Sequence, residues 1–396
     1  MKDDKRLVIT FISILTVIIL SYPITFLLER KGLVNISYDN FKQVEYEKGF
    51  LSKITNLVNR VELAIENRVT NYFPFYYSIN SMNSSINNTL DKNMYKILGI
   101  NYYPVGSDSQ NEIILKDDKH FVLVNVTDKD ILDKKMKDQI DFFNEVSSLD
   151  VNTYMYFANR YEFFDFDKVN HINDMNKYYN DFKSSLNNIT IDELKINNKE
   201  DYLKYFYKTD HHFNMYGAYE SYKDIVTMMG KEYKEGNIFK VDNITYRGSM
   251  AKSSYNSTLT DSLYDIDMDL ESYTIKVDDS TDLDLYKEHK IKDTNNIYYD
   301  HYVAYFNGMY GKVEYDFDND STENLLIIGD SFTWQLDNLI ASHFDKTYIF
   351  NLKYIDSLNL KEFISKNNIT NILFLYETNA ILFDQYNYDF KGKIER

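Results

Sequence analysis

The chain has 396 residues, 44% of them hydrophobic, and a formal net charge of -17 at pH 7. That length and apolar content are enough for one or two packed domains and exclude an intrinsically disordered chain. The acidic balance excludes a nucleic-acid binder, which needs clustered Lys and Arg against phosphate. The absence of cysteine excludes disulfides, thiolate zinc sites and a cysteine nucleophile.

Residues 7–28 carry no charge, and about 20 apolar residues are what a helix needs to cross a bilayer. Lys2, Lys5 and Arg6 precede the run and favour a cytoplasmic N-terminus. Tyr22 and Pro23 sit near its end, before Glu29, Arg30 and Lys31. No small-x-small cleavage site follows the apolar core, which favours an uncleaved anchor over a signal peptide. Residues 1–31 are therefore read as a cytoplasmic stub and one transmembrane helix bounded by Leu7 and Leu28. Everything after about residue 32 is expected on the extracytoplasmic side of the cell membrane.

Residues 32–100 read as a mainly helical, membrane-proximal segment. Phe50, Leu51, Ile54, Leu57, Val58, Val61 and Ile65 recur at spacings near three and four, the mark of an amphipathic helix. Phe73, Pro74 and Phe75 separate it from a more polar helix expected over 79–98. From about 101 the pattern changes to short strands at 112–115, 121–126 and 154–158. Residues 230–300 are acidic and rich in Ser, Asp and Asn; they are expected to form an irregular insertion of loops and short strands, with a flexible stretch near 278–284.

The C-terminal part alternates cleanly. A strand is expected at 325–328, then a helix over 333–344 with Leu336, Leu339, Ile340 and Phe344 on one face. A strand at 348–352, a helix at 360–366 and a strand at 371–376 follow. Strands alternating with helices imply an α/β fold with a parallel sheet and right-handed crossovers. In such sheets reactive groups gather at the carboxyl ends of the strands.

Ser331 stands at such an end, in Gly329-Asp330-Ser331-Phe332. Gly329 permits a tight turn. The N–H groups of Ser331 and Phe332, at the start of the expected helix, are placed to bind an oxyanion. The plain alternative makes Ser331 only a helix N-cap. A serine nucleophile needs a base, and the chain has seven histidines. His212 lies in Lys208-Thr209-Asp210-His211-His212-Phe213-Asn214, with Asn214 as cap of a following helix. In an extended segment Asp210 and His212 project to the same face, where the acid fixes the imidazole tautomer. Other readings stay open here: His211 as the base, a metal on Asp210, His211 and His212 that lacks a fourth ligand, or His212 as a satisfied core residue. Asp118 and His120 repeat the spacing in what reads as a polar turn with no catalytic reason.

The run 209–214, followed by Gly217, Ala218 and Tyr219, resembles the signature of the DHHW-motif proteins, which are similar to the SGNH-like acetyltransferases of alginate and other exopolysaccharides. Asp300-His301-Tyr302 with Phe306-Asn307-Gly308, and the block 326–332, resemble further family segments. The resemblance covers most of residues 40–390. It implies a permuted SGNH-hydrolase-like three-layer domain over 101–396, with Asp210 as acid, His212 as base and Ser331 as nucleophile. It also implies O-acetylation of a cell-surface or exported polysaccharide, an acyl-enzyme, and a membrane-bound O-acyltransferase as acyl donor. No cofactor or metal is implied. A carbohydrate esterase with the same three residues, or a non-catalytic envelope scaffold, are the alternatives. Phe213 stands where the family has tryptophan and is expected to keep an aromatic wall. Asn351-Leu352-Lys353-Tyr354 stands in place of an acid and an arginine, and Asn379 is a loose candidate oxyanion donor.

Overall fold

The computed structural model describes residues 76–99, 103–108, 111–116, 119–158, 174–256, 258–281, 300–306, 308, 310–386 and 388–395, with isolated positions before residue 32. Most of the segment 7–28 falls outside these, and the amphipathic run 50–65 falls wholly outside. Among the described residues no helix is long and apolar enough to cross a membrane.

Among the continuously described residues, helix α1 (Tyr76–Ile97) is followed by a small antiparallel sheet of β1 (Pro104–Asp108), β2 (Asn111–Lys116) and β3 (His120–Asn125). Helix α2 (Lys129–Val146) begins at Asp128, whose side chain accepts from the Asp130 amide. Then come β4 (Asn152–Ala158), α3 (Met175–Ser185), β5 (Thr190–Glu193), α4 (Lys199–Tyr205) and α5 (Met215–Met228). Within 230–300 the expected short strands are present among the described residues, together with one short helix that was not expected. These are β6 (Gly236–Lys240), α6 (Ser249–Ser253), β7 (Tyr264–Met268), which pairs antiparallel with β6, and β8 (Tyr273–Val277). After α7 (His301–Phe306) the chain runs β9 (Lys312–Phe317), β10 (Asn324–Gly329), α8 (Asp337–Ala341) and β11 (Lys346–Phe350). It ends with β12 (Leu358–Asn359), α9 (Leu360–Lys366), β13 (Ile369–Glu377), α10 (Thr378–Phe383), α11 (Phe390–Lys393) and β14 (Ile394–Glu395), which pairs with β12.

Among the described residues the main sheet has seven strands in the order β5-β4-β13-β10-β11-β9-β8. The first five are mutually parallel, while β9 runs antiparallel to both its neighbours. The fold is thus mixed α/β around a parallel sheet. Side chains of a strand alternate between faces. Leu325 and Ile327 of β10 enter one core with α5 and α8, and Leu326 and Ile328 enter the other with α2 and α3. Strand β13 does the same with Leu373 and Leu375 against Ile372, Phe374 and Tyr376. Burial on both faces explains why these strands read as unbroken apolar runs.

The helix expected over 333–344 shrinks to the five residues of α8. Thr333 N donates to Asp330 O and Leu336 N to Thr333 O, so the chain winds through tight turns before any α-helical register begins. His120 also departs from expectation. It is not in a polar turn but is a buried residue of β3, its ring 6.1 Å from that of Tyr202; Asp118 lies outside the described residues.

Candidate active site

Strand β10 ends at Gly329, and a Cβ there would meet the Thr333 side chain at 2.2 Å and Leu375 O at 2.8 Å. Only a glycine lets the chain turn so close to β13. The next residue, Asp330, is buried and clamps that turn. Its Oδ1 accepts from the Phe332 amide at 2.9 Å and its Oδ2 from the Glu377 amide, at the carboxyl end of β13, at 2.9 Å. Ser331, partly exposed, is thereby held above the two strand ends.

The second half of the site comes from residues 206–214. An antiparallel bridge between Phe206 and Phe213 closes this loop, and Asn214 N donates to Tyr205 O at 2.7 Å. The Asn214 side chain caps α5 by accepting from the Tyr216 and Gly217 amides, as expected. The loop is bent rather than extended, so Asp210 and His212 meet for a different reason from the one proposed. Asp210 Oδ1 accepts both the His212 amide at 3.1 Å and His212 Nδ1 at 2.6 Å, an Asx turn closed onto a side chain.

Across the site, His212 Nε2 lies 2.6 Å from Ser331 Oγ. A carboxylate only accepts, so Nδ1 carries the imidazole proton and Nε2 is left to accept from the serine hydroxyl. Asp210, His212 and Ser331 are thus brought into one hydrogen-bonded line. His211 is not part of it. Its Nδ1 faces Ser249 Oγ at 3.0 Å and lies 3.6 Å from Asp210 Oδ1.

Asp210 is buried, and its other oxygen accepts from the Ser249 amide, at the start of α6, at 2.7 Å. Burial opposes its charge, but the imidazoles of His212 and His211 and these donors outweigh that cost and hold its carboxyl well below the usual range. Gly248 makes the approach possible, since a Cβ there would lie 2.3 Å from Asp210 Cβ. Asp261 fastens the loop from the same region by accepting from the amides of Lys208 and Thr209 and from the Thr209 hydroxyl. Ligand atoms of Asp210, His211 and His212 all lie within 4.8 Å of one another. As a cation site the set fits poorly. Both Asp210 oxygens and both His212 nitrogens already serve the hydrogen bonds just described.

Aromatic rings complete the site. Tyr302 of α7 stacks on His212 at 4.0 Å and 12°, and its hydroxyl donates to Ser331 O at 3.0 Å. Trp334 lies 5.7 Å beyond Tyr302, flat against Gly308, where a Cβ would meet its ring at 2.3 Å. Phe213 contributes its aromatic ring from below. It is fully buried and packs beneath the site on Phe332 at 4.9 Å. The oxyanion expectation also changes, because the Phe332 amide is taken by Asp330 and no helix starts there. The Ser331 amide has no acceptor among the described residues. Asn379 is fully buried in α10, its amide donating to Glu377 Oε1, and Asn351 caps a short turn at Leu352–Tyr354.

Sequence reasoning assigned no role to Ser249, Gly248, Asp261 or Tyr302. The first three lie in the acidic stretch read as irregular, where many Ser, Thr, Asp and Asn residues offer equal helix-start signals and none singles them out.

The fold has relatives among solved structures. A DHHW family protein from Eubacterium siraeum superposes with a TM-score of 0.56 and 19% identity, over 74% of this chain and 100% of that one. The chain shares the DHHW fold. Bacillus cereus PatB1, solved with a sulfonyl adduct, matches with a TM-score of 0.53 and 19% identity, over 68% of this chain and 96% of its own. PatB1 without that adduct gives 0.52 at the same identity, over 68% of this chain and 97% of its own. No family model and no curated protein sequence matches the chain. At this identity the likeness carries the DHHW fold itself, and the chemistry has to be argued from the side chains.

Proposed function

We propose that the chain is an extracytoplasmic O-acyltransferase that acetylates a cell-surface or exported polysaccharide through an acyl-Ser331 intermediate. The observation that carries this reading is the line Asp210–His212–Ser331, with 2.6 Å at each join. His212 Nε2 takes the proton of Ser331 Oγ as that oxygen attacks the acyl carbonyl. The Ser331 amide, which meets no acceptor among the described residues, is the donor assigned to the developing oxyanion in this reading. Collapse expels the donor's alcohol, which leaves with the proton from His212. A sugar hydroxyl then gives its proton to His212, attacks the acyl-serine, and departs as the ester while the proton returns to Oγ. Asp210 stays ionised throughout and stabilises the imidazolium.

The apolar run 7–28 supports a single-pass anchor with the catalytic domain outside the cytoplasm. An anchored enzyme gains effective concentration next to a membrane-embedded acyl donor, here a membrane-bound O-acyltransferase. Water in place of the sugar makes the same site an esterase.

The test uses the full chain in detergent with p-nitrophenyl acetate. Ser331→Ala and His212→Ala should each lower turnover about a thousandfold or more. A phenylmethylsulfonyl fluoride adduct should map to Ser331 by peptide mass spectrometry, in keeping with the sulfonyl adduct of PatB1. Turnover that survives both substitutions rejects the reading. Acetylated oligosaccharide among the products separates transfer from hydrolysis.

A further inference from the structure

Helix α1 is turned the wrong way round for an ordinary surface helix. Ile79, Met82, Ile86, Leu90, Met94 and Ile97 form a stripe at helical spacing, and each is half exposed or more. The polar face is the one that meets the body of the protein. Ser84 Oγ donates to Ser254 O at 2.9 Å, Asn88 Nδ2 to Ser84 Oγ at 3.2 Å, and the hydroxyls of Tyr76 and Tyr255 meet at 3.2 Å. Between this face, the small sheet and the end of α6 runs a groove of about 320 Å³. A gap whose wall is about half hydroxyls and amides, beside Val105, Leu115 and aromatic rings, is not stable dry; it needs water or a ligand with both hydroxyl and C–H surfaces.

The lining narrows the class of ligand. Among its 14 residues only Lys92 is charged, in a chain that is 27% charged. The rest are mainly neutral donors and acceptors such as Ser85, Asn88 and Thr258, with the rings of Tyr103, Tyr255 and Phe121. Neutral hydrogen-bonding groups beside aromatic faces match the alternating hydroxyl and C–H surfaces of a sugar ring. One lysine in a strongly acidic protein does not recruit a polyanion.

The groove is also tied to the catalytic loop. Phe121 N donates to Lys208 O at 2.8 Å, two residues before Asp210. Helix α6 begins at Ser249, on the Asp210 carboxylate, and the next residues after it, Ser254 and Tyr255, line the groove. Five helical residues span roughly 8 Å. We propose that this groove is a binding subsite for an uncharged glycan chain. This deepens the acyltransferase reading, and rests on it only for the identity of the glycan as acceptor.

The full chain in detergent is run through native gels containing hydroxyethyl cellulose, galactomannan or dextran, with polygalacturonate in a parallel gel. At least one neutral glycan should retard it. Ser85→Trp, which fills the groove from an exposed helix position, should weaken that retardation about tenfold or more, as should Tyr255→Ala. Should Tyr255→Ala fail to fold by circular dichroism, Ser85→Trp decides alone. Ser331→Ala should be retarded like the parent chain. Retardation by polygalacturonate alone, by no neutral glycan, or equally in parent and Ser85→Trp chains overturns the proposal. Turnover of p-nitrophenyl acetate is scored on the same preparation. Turnover without retardation sinks the groove and keeps the Ser331 reading; retardation without turnover does the reverse.

Discussion

At Gly248 a single missing methyl decides whether Asp210 can sit where it does. The virtual Cβ lies 2.3 Å from Asp210 Cβ, 2.5 Å from Thr209 O and 2.6 Å from Asp210 Oδ2, and two of these neighbours are backbone or directly attached to it. Gly248→Ala must therefore push the loop away, loosening the 2.7 Å bond from the Ser249 amide and the 2.6 Å contact to His212. A shift near 1 Å in a proton relay costs about a hundredfold in rate. Gly248→Ala should show that loss in kcat, with KM for p-nitrophenyl acetate little changed. An unchanged kcat means that the loop tolerates the methyl and that Asp210 is not held as described. Asp210→Asn should be worse, because an amide turns the imidazole to the wrong tautomer; about 10⁴ is the order expected for such a site.

At the scale of elements, the strands of the central sheet carry the fold and α1 does not. Phe374 of β13 is fully buried, its ring 5.0 Å from Phe143 of α2 and nearly perpendicular to it. Phe374→Ala removes that contact and leaves a cavity between sheet and helix, which costs about 3–5 kcal/mol. Ile86→Ser on the outer face of α1 removes no core contact and should move stability by no more than about 0.5 kcal/mol. Urea unfolding of the two variants reads both effects; a large loss from Ile86→Ser would mean that α1 is buried by something in the folded chain. These same elements mark where sequence reading succeeded. The strands at 325–328 and 371–376, the helix at 360–366 and the cap at Asn214 were legible because burial on two faces and capping chemistry leave local patterns. The helix over 333–344 was overdrawn. Its apolar spacing is real, but Asp330 and Thr333 hold the preceding backbone in turns that the pattern does not encode.

For the whole molecule, buried titratable groups set how stability follows pH. Burial pushes the Asp337 carboxyl up to about 8. An acid raised on folding binds protons in the folded state between its unfolded value, about 4, and 8, so stability falls as pH rises through that window. Asp210 acts in the opposite sense. Its carboxyl is held low, so its contribution is present above about 4 and is lost as pH falls toward its folded value. His343, pushed down to about 4 chiefly by burial, adds to the acid loss between about 6.5 and 4. Asp337→Asn should therefore raise Tm over the parent chain by an amount that grows from pH 5 to pH 9. A constant difference across that range means that Asp337 does not titrate there.

By itself the sequence determined what local patterns can hold: an apolar run long enough for a bilayer, a parallel α/β alternation, and the segments bearing Asp210, His212 and Ser331. Each depends on residues a few positions apart, where periodicity and turn chemistry act directly. Only the tertiary structure decided that His212 rather than His211 meets Ser331, since adjacent imidazoles differ only in the direction the folded loop gives them. It also decided that Gly248, Ser249 and Asp261 hold the acid, and that α1 turns its polar face inward over a groove. Those contacts join stretches tens to more than a hundred residues apart. They form because burial of the two cores on the sheet brings those stretches together, and no local spacing records that closure.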